Sequence, residues 1–301
     1  MRIWLLLPLI LLAACSRMPV APEPISEPAS GRIVELSTGR HLSPTELVER
    51  LGRRERVLIG ERHDNPAHHR IERWLLQAVD RRAEAPALLL EMLDPGQQPR
   101  VDAVRQALRD GRPVDDLPAA LGWQPGWDWG LYGELLAQAV ARPAPLLSAN
   151  LTREDIRRIY RSAPRLPAGR STDEAVQAQL AEHIRAAHCD LLPAEQLPAM
   201  LAVQQQRDRR MAERLLAASA PAWLMAGAYH VRRDLGVPLH LADLGGAEQA
   251  AVLVLAEEGE AVEAGQADYV WFTPAQPQVD HCAALRDEQA KKDPAEPGQK
   301  P

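Results

Sequence analysis

The feature that most constrains the fold is a series of short apolar runs separated by longer segments of helical period. The runs are Arg56–Gly60, Ala87–Glu91, Ala144–Asn150, Ala222–Ala226, Ala250–Ala256 and Tyr269–Phe272, and none alternates polar with apolar residues. A strand without alternation is buried on both faces, as in a parallel sheet. Between the runs, Ile71, Trp74, Leu75, Ala78 and Val79 repeat at helical spacing, and Trp129–Ala141 reads as a helix. Three further helices are expected near Arg153–Tyr160, Thr172–Ala187 and Ala194–Ala218. Ser43-Pro44-Thr45-Glu46 is a capping box with Pro at the first helical position. The expected fold is α/β: a mainly parallel sheet with helices on both faces, an inserted helical section, and a ligand site at the carboxyl edge of the strands.

The ends read differently. Met1-Arg2 precedes an apolar run, Ile3–Ala14, interrupted by Pro8. A bilayer-spanning helix needs about 20 apolar residues, so residues 1–14 read as a signal peptide. The run closes on Leu12-Ala13-Ala14-Cys15, which resembles the bacterial lipobox. That resemblance implies that Cys15 carries the lipid (palmitate among its acyl chains). With Ser16 following, it implies an outer membrane lipoprotein facing the periplasm. Residues 15–30 are then a lipidated N-terminus and flexible tether, residues 31–285 one α/β domain, and residues 286–301 a disordered tail. A formal charge of −6 with no basic tract argues against nucleic acid as a partner. Beyond Cys15 two cysteines remain, Cys189 and Cys282, and in an oxidising compartment they are expected to form a disulfide.

Chemistry-bearing residues fall where the strands end. The first run leads into Glu61-Arg62-His63, the second ends at Glu91, the third at Asn150, and the fourth leads into Gly227-Ala228-Tyr229-His230. In a parallel sheet these carboxyl ends share one edge, so Glu61, His63, Glu91, Asn150 and His230 should converge. Asn65 is a good N-cap with Pro66 after it. His68 and His69 lie on that helix's first turn, either as solvated surface residues or as holders of a carboxylate at an anion-binding helix end. The stripe Leu197, Leu201, Gln204, Asp208, Met211 and Leu215 is polar in its middle, with Arg207 beside it. Buried polar groups need partners, so this helix faces a polar cavity, makes an internal ion pair, or both. Aromatics are only 4% of the chain, yet Trp123, Trp127, Trp129 and Tyr132 fall together. They form either the packed core of one helix or a wall for a planar apolar ligand.

The run from Leu58 to Pro66 (Leu-Ile-Gly-Glu-Arg-His-Asp-Asn-Pro), with His68-His69, resembles the ChaN-like haem-binding lipoproteins. Gly126-Trp127-Asp128-Trp129 with Tyr132, His188-Cys189, Gln204 with Arg207-Asp208 and Met211-Ala212 continue the match. So do the run from His230 to Pro238 and the late Cys282. This family lies in a superfamily similar to the Tiki metalloproteases and erythromycin esterases. The resemblance implies non-covalent haem binding in iron uptake or hand-off, with an outer-membrane haem receptor and a second copy of the chain as partners. One departure is Ala228-Tyr229 before the late His, where the family often has a small pair such as Asn-Gly. The expected pocket comprises Glu61, His63, His68, His69, Glu91, Trp129, Tyr132, Gln204, Arg207, Asp208, Tyr229 and His230. Ferric iron is a hard acid suited to a phenolate, so Tyr132 or Tyr229 is the expected ligand, with His63 or His230 as the alternative. Arg207, His68 or His69 would meet the propionates. The rival reading is a hydrolase, metal-dependent or assisted by Glu and His. There Glu61, His63, Glu91 and His230 activate water, with a divalent metal where one is used.

The anchor is directly testable. Cys15→Ser should release the protein from the membrane fraction or leave its signal peptide uncleaved; a variant fractionating with membranes to the normal extent contradicts lipidation.

Overall fold

The computed structural model describes residues 27–81, 84–246, 250–277, 280, 282–283 and 286. The expected signal peptide, Cys15, most of the tether and nearly all of the tail lie outside the described residues. The chain opens with β1 (Arg32–Glu35) and β2 (Arg40–Leu42), followed by α1 (Pro44–Leu51). Next come β3 (Arg56–Glu61), α2 (Pro66–Asp80), β4 (Ala87–Leu90), α3 (Gln98–Arg109), α4 (Leu117–Leu121), α5 (Trp129–Ala141) and β5 (Leu146–Ser148). The helical section α6 (Arg153–Ser162), α7 (Glu174–Ala187) and α8 (Leu197–Ala217) is inserted before β6 (Ala222–Gly227). The short α9 (Ala228–Val231), α10 (Val237–Asp243), β7 (Ala251–Glu257) and β8 (Tyr269–Thr273) complete the order.

The eight strands form one sheet in the order β2-β1-β8-β7-β3-β6-β4-β5. β8, β7, β3, β6, β4 and β5 pair in parallel. β1 pairs antiparallel with both β8 and β2. Burial explains the unbroken apolar runs. Along β3, Val57 and Ile59 enter the core beneath α2 and α5, while Leu58 enters the opposite core beneath α8 and α10. β4 divides in the same way, with Leu88 and Leu90 on one side and Leu89 on the other. Each fully buried leucine contributes about 1.5–3 kcal/mol, so both faces of the sheet hold the fold.

The β1–β2 hairpin carries no readable sequence period, because its strands have only four and three residues. Its turn contains Gly39 with φ +69, a left-handed conformation that favours glycine. The capping box at α1 forms as read: Ser43 Oγ accepts from the Glu46 amide at 3.2 Å, and Glu46 accepts from the Ser43 amide at 2.8 Å. Cys189, just past α7, is joined to Cys282, 93 residues further on, which ties a late segment to the inserted helices. No helix among the described residues is long and apolar enough to cross a membrane.

Gly60 lets α9 pack on β3. A Cβ there would lie 2.8 Å from Ala228 Cα and would run into the Val231 side chain. Gly60→Ala should therefore destabilise the fold by about 1–3 kcal/mol through overpacking, read by thermal unfolding; an unchanged melting temperature contradicts this packing.

Candidate functional site

The sheet register builds the site. Glu61 at the end of β3 stands beside Gly227 at the end of β6, and the Glu91 amide, just past β4, donates to Met225 O at 3.1 Å. Three neighbouring strands thus deliver Glu61, Glu91 and the β6–α9 turn to one edge. The chain turns into α9 directly after β6, which puts Tyr229 and His230 on a helical turn.

His230 is the hub. It is buried, and its Nδ1 is hydrogen-bonded to Asp208 Oδ1 from α8. Its Nε2 lies 3.3 Å from Glu91 Oε1. The Gln204 amide sits 3.1 Å from Nδ1. Glu91 also accepts the Gly227 amide through Oε2 at 2.9 Å and lies 3.6 Å from Arg207. Burial disfavours charge on His230, but the carboxylates of Glu91 and Asp208 outweigh it and push its pKa up to about 10. Burial would likewise raise Glu91, yet His230, His63 and Arg207 hold it far below the carboxylate range. The polar centre of α8 therefore serves both expected purposes: Asp208 and Arg207 make internal ion pairs, and Gln204 lines a cavity.

A second cluster surrounds Glu61. His63 Nδ1 is 2.6 Å from Glu61 Oε1, and the Tyr132 hydroxyl donates to the same oxygen at 2.9 Å. Burial works against a charged His63, but the Glu61 hydrogen bond and the Glu91 charge prevail and raise its pKa. Its side chain is 44% exposed. A Cβ at Gly227 would lie 2.9 Å from His63 Nε2, so the glycine leaves room for the imidazole.

A cleft at this edge encloses about 660 Å³. Tyr229, His63, His183, His230, Arg62 and Arg232 give it polar walls, and Val254, Leu255, Ala256 and Val262 an apolar one. Tyr229 is 42% exposed, the one large apolar side chain so exposed among the described residues.

Several expected pocket residues have other roles. His68 and His69 are buried. His68 Nδ1 accepts the Arg62 amide at 3.0 Å and its Nε2 meets Thr273 Oγ1 at 3.2 Å; burial lowers its pKa to about 4, which keeps it neutral. His69 bonds Glu72 at 3.0 Å and donates to His63 O at 3.1 Å. Against the cost of burial, Glu72 raises its pKa to about 9. Both fasten the loop after β3 instead of offering a surface anion site. Asn65 caps α2 as expected, and its side-chain amide is spent on Glu257 at 2.8 Å. Asn150 donates to Glu91 O at 2.8 Å and so braces the backbone. Trp123, Trp129 and Tyr132 stack edge-on or tilted upon one another, which is core packing, and neither Trp129 nor Tyr132 lines the cleft. Trp127 contacts His63 edge-on at 5.0 Å. Among the described residues no group of three or more His, Cys, Asp or Glu side chains is placed to hold a metal ion. His183 and Arg232 line the cleft without having been singled out. Arg232 lay within the stretch that resembles the ChaN-like proteins, but His183, in the middle of a helix, carried no motif signal.

The two histidines should respond differently to removal. His230→Ala leaves Glu91 and Asp208 buried without their shared cation and should cost about 3–5 kcal/mol, whereas His63→Ala should cost far less. The wild-type contribution from His230 is complete below its ordinary pKa of 6.5 and is lost as pH rises through about 10. Thermal melts across pH check both; equal losses for the two variants contradict the assignment.

Among curated protein sequences none matches the chain significantly. A structural match is the structure of cofacial haem binding to ChaN of Campylobacter jejuni. It is 28% identical with a TM-score of 0.74, over 80% of this chain and 96% of that one. An erythromycin esterase mutant in its open conformation is far more distant, at 13% identity and a TM-score of 0.41 over 81% of this chain and 82% of that one. A family model for haem-binding uptake proteins of the Tiki superfamily, ChaN, matches residues 47–241. The chain therefore belongs to the ChaN family of haem-binding uptake proteins.

Proposed function

We propose that this protein binds haem reversibly as cargo in the cleft at the carboxyl edge of the sheet. The observation that carries this reading is an exposed phenol, Tyr229, beside an apolar wall in a cleft of about 660 Å³. A macrocycle needs apolar surface, ferric iron takes a hard oxygen ligand, and propionates seek cations. The cleft offers Val254, Leu255, Ala256 and Val262 for the first, Tyr229 for the second, and Arg62 and Arg232 at its walls for the third. Haem brings the iron that makes it worth transporting; the protein supplies the ligand, the shape and the counter-charges.

Tyr229 is favoured over Tyr132 on physical grounds. Tyr132 is 1% exposed, and burial together with Glu61 pushes its ionisation upward, so a phenolate there is disfavoured. His230 is spent on two carboxylates, which leaves His63 as the alternative ligand. The same commitment weakens the hydrolase reading, since a general base must be free to take a proton and His230 is held charged.

The protein acts in iron acquisition at the cell envelope, held to the outer membrane through lipid on Cys15 and facing the periplasm. It receives haem from, or passes it to, an outer-membrane receptor, and a second copy of the chain is a further partner. The lipobox-like Leu12-Ala13-Ala14-Cys15 and the Pro-rich stretch after it support this placement.

Ferric haem added to purified protein should give a saturable Soret shift with an oxygen-ligated ferric spectrum. Tyr229→Phe should lose that spectrum and Tyr132→Phe should keep it. Retention of the wild-type spectrum by Tyr229→Phe overturns Tyr229 ligation.

A further inference from the structure

An exposed tyrosine ordinarily samples several rotamers, and each is a conformation that binding must select against. The Tyr229 ring is held instead. The His183 imidazole, reaching over from α7, stacks on it with ring centroids 3.3 Å apart and planes 19° apart. The Arg232 guanidinium carbon lies 5.4 Å from the same ring centroid, a cation–π distance. Arg232 is itself fixed by Asp234 through paired bonds of 2.9 and 2.6 Å.

α7 is a firm base for this contact. Its Leu180 and Ile184 are buried, it packs on α8, and the residue after His188 is disulfide-bonded to Cys282. Among the described residues no hydrogen bond of the Tyr229 hydroxyl competes with this arrangement, while His183 covers one face of the ring.

We propose that His183 is a positioning residue for the haem site: its imidazole, stacked on Tyr229, pre-organises the phenol as the iron ligand. The inference rests on the reading of Tyr229 as that ligand. A ligand already held in one orientation loses less freedom on binding. His183 thus contributes to haem affinity without touching the iron. Any flat ring at the position should serve, because the stack and not the imidazole nitrogens does the holding.

The test uses the full chain, purified in detergent, with His183→Ala, His183→Phe and Tyr229→Phe, each checked for a native melt. Ferric haem is titrated into all of them, and tyrosine-ring mobility in the haem-free proteins is read by NMR on ring-labelled tyrosine. His183→Ala should weaken haem binding about tenfold, a loss of the size expected for freeing one side chain and its contacts. It should also mobilise the Tyr229 ring before any haem is added. His183→Phe should hold the ring and keep affinity within about twofold of wild type. Wild-type affinity and ring order in His183→Ala overturn the proposal, as does a folded His183→Phe that binds no better than His183→Ala. Tyr229→Phe separates the two levels. If it keeps the wild-type ferric spectrum, the ligand assignment itself fails. If it loses that spectrum while His183→Ala binds normally, only the role of His183 falls.

Discussion

A charged imidazole enclosed by two carboxylates organises the functional edge of this protein. His230 reaches Glu91 from the end of β4 and Asp208 from α8, and it sits on the turn that follows β6. One side chain therefore joins two neighbouring strands to the inserted helical section. Removing charges from water costs several kcal/mol per ion, and the pairing of His230 with both carboxylates offsets that cost. Glu91 takes the Gly227 amide as well as His230, and Arg207 adds a second cation. The consequence is directional. With His230 turned inward to its carboxylates, its neighbour Tyr229 is left facing the cleft, and Glu61 and Tyr132 hold His63 at the same rim.

The balance of charge in the cleft follows from the same economy of partners. Arg62 is shared among Asp64, Glu257 and Glu260, and Arg232 is forked by Asp234. The Arg62 pairs with Asp64 and Glu260 are exposed and weak, about 0–1 kcal/mol each, so a ligand carboxylate can compete for Arg62 at little cost. The buried triad cannot be recruited so cheaply. The edge thus separates a rigid inner layer, which sets positions, from an outer layer that can exchange its partners with a cargo.

Much of this was legible in the sequence, for identifiable reasons. Short apolar runs without alternation, such as Val57-Leu58-Ile59 and Leu88-Leu89-Leu90, set between longer helical segments, fit strands buried on both faces, and the sheet followed from them. The convergence of Glu61, Glu91 and His230 followed from the shared direction of those strands. What failed was whatever depended on side-chain direction. His68 and His69 were read as facing solvent or ligand because of their place on a first helical turn, yet tertiary contacts, of His68 with Thr273 and of His69 with Tyr132, turn both inward. Of the two candidate tyrosines, Tyr132 is buried and Tyr229 is exposed. The strand stops at Gly227, and the helical turn that follows exposes the phenol. The stack of His183 on Tyr229 joins residues 46 positions apart by way of the fold alone, and no local pattern could have announced it.

Haem is proposed to occupy the cleft between Tyr229 and the β7 wall while the inner triad stays intact. A crystal structure of the protein with ferric haem tests this most directly. The iron is expected beside the Tyr229 oxygen, the macrocycle against Val254–Ala256, and His230 still bridging Glu91 and Asp208. Haem seated instead against Trp129 and Tyr132, or ligated by a His230 withdrawn from its carboxylates, would contradict it.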